Sequence, residues 1–419
     1  MTHMDIKSNM NRIIICLVFS LGGHTLSAQA DLEGYLNEAS ENNPGLQAQY
    51  TAFEASLERA AQVSGLPNPS LSFGYFIQPV ETRVGPQRAR FSLSQMFPWF
   101  GSLSAKGDAA AAMAQSRYYQ FIDAREKLIS EVKISYYELW QIQEVIDLER
   151  ENLRILESYE DLATTRVRSG DGKLSNVYRV QMEIEETQTR IRILENQLAQ
   201  QKRNFNRTLN RKAETSVELP DTLIAKGSFL QLDSVARHPS IERFRQMEEG
   251  AAYQISAAQK SALPSFGLGV DYVIVDERSD MSVPDNGRDA IMPMISLSLP
   301  IWQKQYTAAR KEAELQQLQY QLEVDDAVNS LNSQSDLNLF RLKEAEDEMQ
   351  LYREEISLAY KTLELTITDY TNGREDFEEI LRLQQKIIQY KKQHLKANRA
   401  YIDSLARLEY LNYRTTENE

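Results

Sequence analysis

The chain has 419 residues, 47 Lys and Arg against 60 Asp and Glu, a net charge of −13 and a single cysteine. So acidic a balance repels polyanions and excludes nucleic acid as a partner. One cysteine excludes both a disulfide framework and a cysteine metal cluster. Beyond the first 30 residues no apolar run approaches the ~18 residues of a membrane-spanning helix.

Residues 1–30 carry the three parts of an export leader. Lys7 and Arg12 are the basic start, residues 13–21 the apolar core, and Ala28-Gln29-Ala30 a small-residue cleavage site. Cys16 lies inside the apolar run, without the small residues before it that a lipid anchor needs. Its removal with the leader leaves a mature chain free of cysteine.

From residue 31 the composition is helical, with a break at Asn43-Pro44, because proline disfavours a helical residue before it. Leu66-Pro67-Asn68-Pro69 stops the second helix. Residues 70–77 then alternate: Leu71, Phe73, Tyr75 and Ile77 against Ser70, Ser72 and Gly74. Residues 78–87 read as a polar loop. Residues 88–97 alternate again, Ala89, Phe91, Leu93 and Phe97 against Arg88, Arg90, Ser92 and Ser94. Period two marks a strand with unlike faces, and ~9–11 residues is the length of a membrane-spanning strand. A proline-free helix is predicted over 99–168, on the order of 105 Å long at 1.5 Å per residue. It ends at the turn Ser169-Gly170-Asp171-Gly172-Lys173. The return helix carries Val177, Val180, Ile184, Thr187, Ile191, Leu194 and Leu198 at alternating spacings of three and four, the stripe of a coiled coil.

The second half repeats the first. Gly170 and Gly373 lie 203 positions apart, and each is followed eleven residues later by a glutamine, Gln181 and Gln384. Asn43-Pro44 is echoed by His238-Pro239. The stretch from Pro69 to Gly74 is echoed by Pro264 to Gly269, and Ser92-Leu93-Ser94 by Ser296-Leu297-Ser298. Phe266, Leu268, Val270, Tyr272 and Ile274 oppose Ser265, Gly267, Gly269 and Asp271. Ile291, Ile295, Leu297 and Leu299 oppose Met292, Met294, Ser296 and Ser298. A second long helix over 302–371 ends at Thr371-Asn372-Gly373-Arg374. The helix that follows carries Ile380, Leu383, Ile387, Tyr390 and His394. Self-similarity at fixed spacing is a tandem duplication. The division is 1–30 leader, 31–210 first repeat, 211–230 linker and 231–419 second repeat.

Four amphipathic strands do not close a barrel, and lipid tolerates no open edge. Either the strands cover a soluble helical body, or copies of the chain complete a barrel together. The serine- and glycine-rich faces, and Trp99, Phe100 and Trp302 beside the hairpins, favour the membrane arrangement.

At this point the chain resembles the outer membrane efflux ducts, the TolC-like family. The resemblance covers the whole mature chain. It rests on the duplicated order of helix, hairpin and long helix, on the glycine tips, on Leu66-Pro67 and Leu263-Pro264 before each hairpin, and on Pro98-Trp99 and Pro300-Ile301-Trp302 after it. The Phe97-Pro98-Trp99-Phe100-Gly101 run is most similar to the branch serving heavy-metal or cation pumps. The resemblance implies a mainly α chain with a membrane β-barrel portion: a homotrimer in outer membrane lipid, with a 12-stranded barrel and an α-helical periplasmic tunnel. It implies a periplasmic adaptor and an inner-membrane pump of the RND type as partners, with no catalysis and no cofactor in the duct itself.

It also assigns residues. Tyr370 matches the tyrosine of the family's periplasmic gate, and Glu379 its first acidic ring. A ring of like charge in a narrow aqueous constriction favours cations. Arg382 stands where a second acid is expected and Glu375 where a base is, so a Glu379–Arg382 pair at i,i+3 is the expected substitute. Ser169, Gly170, Asp171, Asn372, Gly373 and Arg374 are the expected adaptor contacts. Asp171 replaces the apolar residue usual at its position. Met292 and Met294 share a strand face with the serines. Their thioethers suit soft cations, and space filling serves equally. His238 and His394 stand apart and imply no metal site. Two other readings stay open: a duct for protein (type I) secretion, and a soluble periplasmic coiled-coil scaffold.

Overall fold

The computed structural model describes residues 27–220 and 235–413. Most of the expected leader and the second part of the expected linker lie outside them. The elements, in chain order, are helices α1 (Ser27–Asn42) and α2 (Pro44–Ser64), strands β1 (Ser70–Thr82) and β2 (Gly85–Phe97), then helices α3 (Ser102–Arg168) and α4 (Leu174–Thr208). The second copy has α5 (Pro239–Ser261), β3 (Ser265–Val275), β4 (Ala290–Ser298), α6 (Lys304–Thr371) and α7 (Phe377–Leu411). α3 and α6 have 67 and 68 residues, each about 100 Å long.

The repeat is visible in local geometry. Asn43 caps α2 with its side chain accepting from the Leu46 N–H, and His238 caps α5 by accepting from the Ser240 N–H; a proline opens each helix. Proline suits that position because the first helical N–H has no partner to lose.

The strands form one antiparallel sheet in the order β1-β2-β3-β4. Here the structure corrects the sequence reading. Residues 78–87 are not a loop: both strands of the first hairpin run thirteen residues, and the connection is only Arg83 and Val84. Alternation fails around Pro79 because the register shifts between Tyr75 and Val80, and a proline is tolerated in a strand at such a bulge. The second hairpin keeps its polar connection over residues 276–289.

The two faces are chemically distinct. Leu71, Phe73, Phe91, Leu93, Val270, Tyr272, Ile295 and Leu297 fall on one face by register and all stand exposed. The opposite face carries Ser70, Ser94, Ser92, Gly267, Gly269, Asp271, Met292, Met294 and Ser296. Small residues here are required. A Cβ on Gly267 would fall 2.1 Å from Ser296 Oγ and 2.6 Å from Met96 Sδ. Asp271 is fully buried and ion-paired to Arg90, and Arg88 pairs with Asp276. Met294 leans over Gly269, so on this chain the methionines cover glycine gaps. Trp99 stacks on Phe266 at 5.6 Å, whereas Phe100 and Trp302 are 81% and 78% exposed.

The helices pack through the predicted stripes. Val177, Val180, Ile184, Thr187, Ile191 and Leu198 are buried, and Leu194 half-buried, against α3. On α7 the stripe holds at Ile380, Leu383 and Ile387, then drifts to Ala397, Ile402 and Ala406, leaving His394 half-buried. One core gathers Tyr35, Val132, Tyr136, Leu139, Ile146 and Phe205 where α1 meets α3 and α4; a second lies at the far end of the long helices.

His238 joins three helices. Tyr410 of α7 packs edge-on against its ring at 4.9 Å and donates to Asp123 of α3 at 2.8 Å. Burial lowers the His238 pKa below its usual 6.5, Asp123 and Glu126 opposing. Nδ1 accepts the capping bond, so a proton there abolishes the cap. The neutral ring is therefore the folded form: its contribution is complete above the unfolded pKa and lost as pH falls below it. The unfolding midpoint of the wild type is expected to drop between about pH 7 and pH 5. His238→Asn, which keeps a capping oxygen, should flatten that slope; equal slopes in both proteins would rule the mechanism out.

Candidate functional site at the hairpin tips

The end of the molecule farthest from the sheet is built from two copies of one turn. At the first tip Gly170 has φ +87°, its N–H donates to Val167 O and the Asp171 N–H to Arg166 O. At the second, Gly373 has φ +75°, its N–H donates to Tyr370 O and the Arg374 N–H to Asp369 O. Both pairs span three and five residues, the pattern of a Schellman helix end, which needs a left-handed residue after the cap. Ser169, Gly170, Asp171, Asn372, Gly373 and Arg374 are all exposed at the extremity. Ser169 Oγ donates back to Arg166 O at 2.9 Å, and Asn372 Nδ2 to Thr368 O at 3.0 Å. Arg374 reaches Asp369 at 4.0 Å. These side chains brace their own turns and leave the backbone rim open.

The two tips lie side by side, and equivalent positions of the two copies meet. Lys173 and Asp376, the residues that open α4 and α7, are 203 positions apart and pair at 3.1 Å. Arg179 pairs with Glu378. Arg166 contributes most to the seam: its guanidinium lies 4.9 Å from the centre of the Tyr370 ring and donates to Thr371 O at 3.0 Å. It combines a cation–π contact with neutralisation of the carbonyl end of α6.

Tyr370 is buried at 9% exposure against Phe377, with ring centres 5.4 Å apart. Its ring thus belongs to the seam between the hairpins. Glu379 and Arg382 do pair: Arg382 Nε donates to Glu379 at 2.8 Å. That bond holds the Glu379 carboxyl below its usual pKa, so the pair persists until pH falls through the acidic range. Arg382 itself is exposed. Glu375 accepts from the Asp376 N–H at 3.3 Å.

Sequence reasoning missed Arg166, Lys173, Asp376 and Phe377. The signal lay in the offset of 203, which carries Lys173 onto Asp376, its contact across the seam. Farther up the hairpins, Glu149 is fully buried between Lys392 of α7 and Arg190 of α4. Gln384 donates to Asn152 at 2.9 Å, also buried.

With this geometry in view, comparison with known proteins is specific. The family model for outer membrane efflux proteins matches residues 35–211 and 232–411, one match per copy. Outer membrane efflux protein BepC of Brucella suis is 21% identical over 404 residues, covering 90% of this chain and 84% of that one. The outer membrane protein VceC of Vibrio cholerae superposes with a TM-score of 0.75 at 15% identity, covering 91% of this chain and 96% of VceC. CusC gives 0.76 at 17% identity, covering 95% and 96%. The open state of the Neisseria gonorrhoeae MtrE channel gives 0.71 at 16% identity, covering 96% and 95%.

Arg166→Ala removes both the ring contact and the carbonyl bond, so amide exchange at residues 370–377 should quicken while the core around Tyr136 keeps its protection. Unchanged exchange at the second tip would deny Arg166 its role in the seam. A Cβ on Gly373 has open space, so Gly373→Ala carries only backbone strain of about 1–2 kcal/mol, read as a lower unfolding free energy.

Proposed function

Because the chain belongs to the outer membrane efflux protein family, we propose that it is the passive outer membrane duct of a tripartite export system. The observation that carries the reading is the sheet. Its β1 and β4 edges have no partner strand among the described residues, and one face is apolar and exposed, Ile77 at 91% and Ile295 at 83%. Open edges are intolerable in lipid, and closure needs about eight strands or more. Three copies supply twelve strands and twelve hairpin helices, the latter being α3, α4, α6 and α7 of each chain. The polar face then lines the pore and the apolar face meets outer membrane lipid. The helices form a tunnel reaching into the periplasm.

The duct does no chemistry. Small molecules or metal cations pass down their gradient, and energy comes from an inner-membrane pump of the RND type through a periplasmic adaptor. The exposed tips at Ser169, Gly170, Asp171, Asn372, Gly373 and Arg374 are the adaptor's contact. Glu379 and Arg382, on the same helix as the seam, set the charge at the narrow end. Tyr370, at the end of α6, packs on Phe377 of that helix and meets the first hairpin through Arg166. Pairing of Glu379 with Arg382 replaces a bare ring of carboxylates and lowers the preference for cations that such a ring confers.

Two measurements test this. Native mass spectrometry of protein extracted in mild detergent should give three copies; a monomer soluble without detergent would sink the barrel. In planar bilayers, Arg382→Glu should raise conductance severalfold and shift selectivity toward cations, and Glu379→Gln should shift it the other way. If neither variant alters conductance or selectivity, the two residues lie outside the constriction.

A further inference from the structure

α2, α3 and α5 converge on the sheet: α2 ends six residues before β1, α3 starts five residues after β2, and α5 ends four residues before β3. Between their sheet-proximal ends runs a groove of about 440 Å³. Its floor is apolar, with Val63, Ala110 and Met113, and its polar rim includes Arg59, Lys106 and Arg117. No carboxylate lines it. That is unusual in a chain with 60 acidic residues against 47 basic ones. About half of the other described cations pair with carboxylates, whereas Arg59 and Arg117 bond only to the amide oxygens of Gln62 at 3.4 Å and Gln120 at 3.0 Å. Lys106 makes no hydrogen bond or ion pair among the described residues.

The groove therefore presents uncompensated positive charge above an apolar bed, the complement of an anionic amphiphile. Its position selects the source. Lys106 lies four residues into α3, about 6 Å along the helix from Ser102, just beyond the exposed ring of Phe100. If the sheet spans a membrane, as the reading above requires, that is the depth of the lipid headgroups, a layer of about 5–8 Å per leaflet. Arg59 and Arg117 continue the positive stripe down the groove, so a headgroup with two phosphates suits it better than one.

We propose that this groove holds an anionic phospholipid of the leaflet next to the helices, its glycerol region on Val63 and its phosphates against Lys106 and Arg59. Basic pockets at a membrane face recognise such headgroups through charge and hydrogen bonding together. A seated lipid would fix the angle at which the three helices leave the sheet.

The test is native mass spectrometry of the detergent-extracted protein titrated with cardiolipin or with phosphatidylethanolamine. Cardiolipin adducts are expected at up to one per chain, with phosphatidylethanolamine much weaker. The triple variant Arg59→Gln, Lys106→Gln, Arg117→Gln should lose the adduct by at least about tenfold. Lys106→Glu, at an exposed position, repeats the test with a single change should the triple variant fail to assemble. Millimolar inorganic phosphate should leave the lipid in place; its displacement would mark a site for free phosphate and overturn the proposal. Equal binding of the two lipids, or adducts retained in the variants, would overturn it as well. The same spectra report the number of copies, so loss of the oligomer would count against the membrane reading, and a normal oligomer with unaltered adducts against the lipid alone.

Discussion

Backbone hydrogen bonding at the sheet edge is the constraint on which the rest of the molecule depends. Every strand must satisfy its N–H and C=O groups, and four strands in a row leave two rows unmet. In water those rows are a hazard of uncontrolled pairing; in lipid they are forbidden. The exposed apolar face removes water as a comfortable environment, so neither edge nor face is stable in the lone chain. Assembly around a common axis answers both, and it fixes the number of long helices at the other end of the molecule by the same symmetry.

Duplication makes that assembly economical. One unit of helix, hairpin, long helix and return helix, used twice, places near-equivalent residues against each other within a chain before any second chain is involved. The Lys173–Asp376 pair is that relation at the level of single side chains. The copies differ in charge here: a lysine opens one return helix and an aspartate the other, so the two positions attract where identical residues would repel. The two Schellman ends with the same bond spans show that backbone geometry persisted while side chains changed.

Much of this was legible from periodicity. The long helices, the return-helix stripes and the second hairpin follow directly from spacing. The first hairpin was read too short because Pro79, Gln78 and Glu81 break the alternation that marks a strand. A bulge absorbs the interruption, and bulges leave no periodic trace. The tip turns were legible because glycine accepts at little cost the left-handed φ they need. The seam was not, because Arg166 and Phe377 act across 200 residues, a separation that no local pattern encodes. The basic-rimmed groove beside the sheet escaped for the same reason: Arg59, Lys106 and Arg117 sit on two helices and become one surface only after folding.

The distribution of ion pairs along the hairpins decides where they yield. Glu149 is held in a buried site by two cations from two other helices, and taking both away strands a charge in low dielectric, an effect of about 3–5 kcal/mol. Arg166 is half-buried and anchored by a ring and a carbonyl. Lys173 and Asp376 are 69% and 76% exposed, where an ion pair contributes about 0–1 kcal/mol. The ionic part of the coupling between the hairpins therefore weakens toward the tips, while the buried core of Val180, Phe377 and Ile380 continues there. The exposed, weakly held pair thus lies at the extremity, and the buried one, Glu149 with Lys392 and Arg190, lies farther up the hairpins.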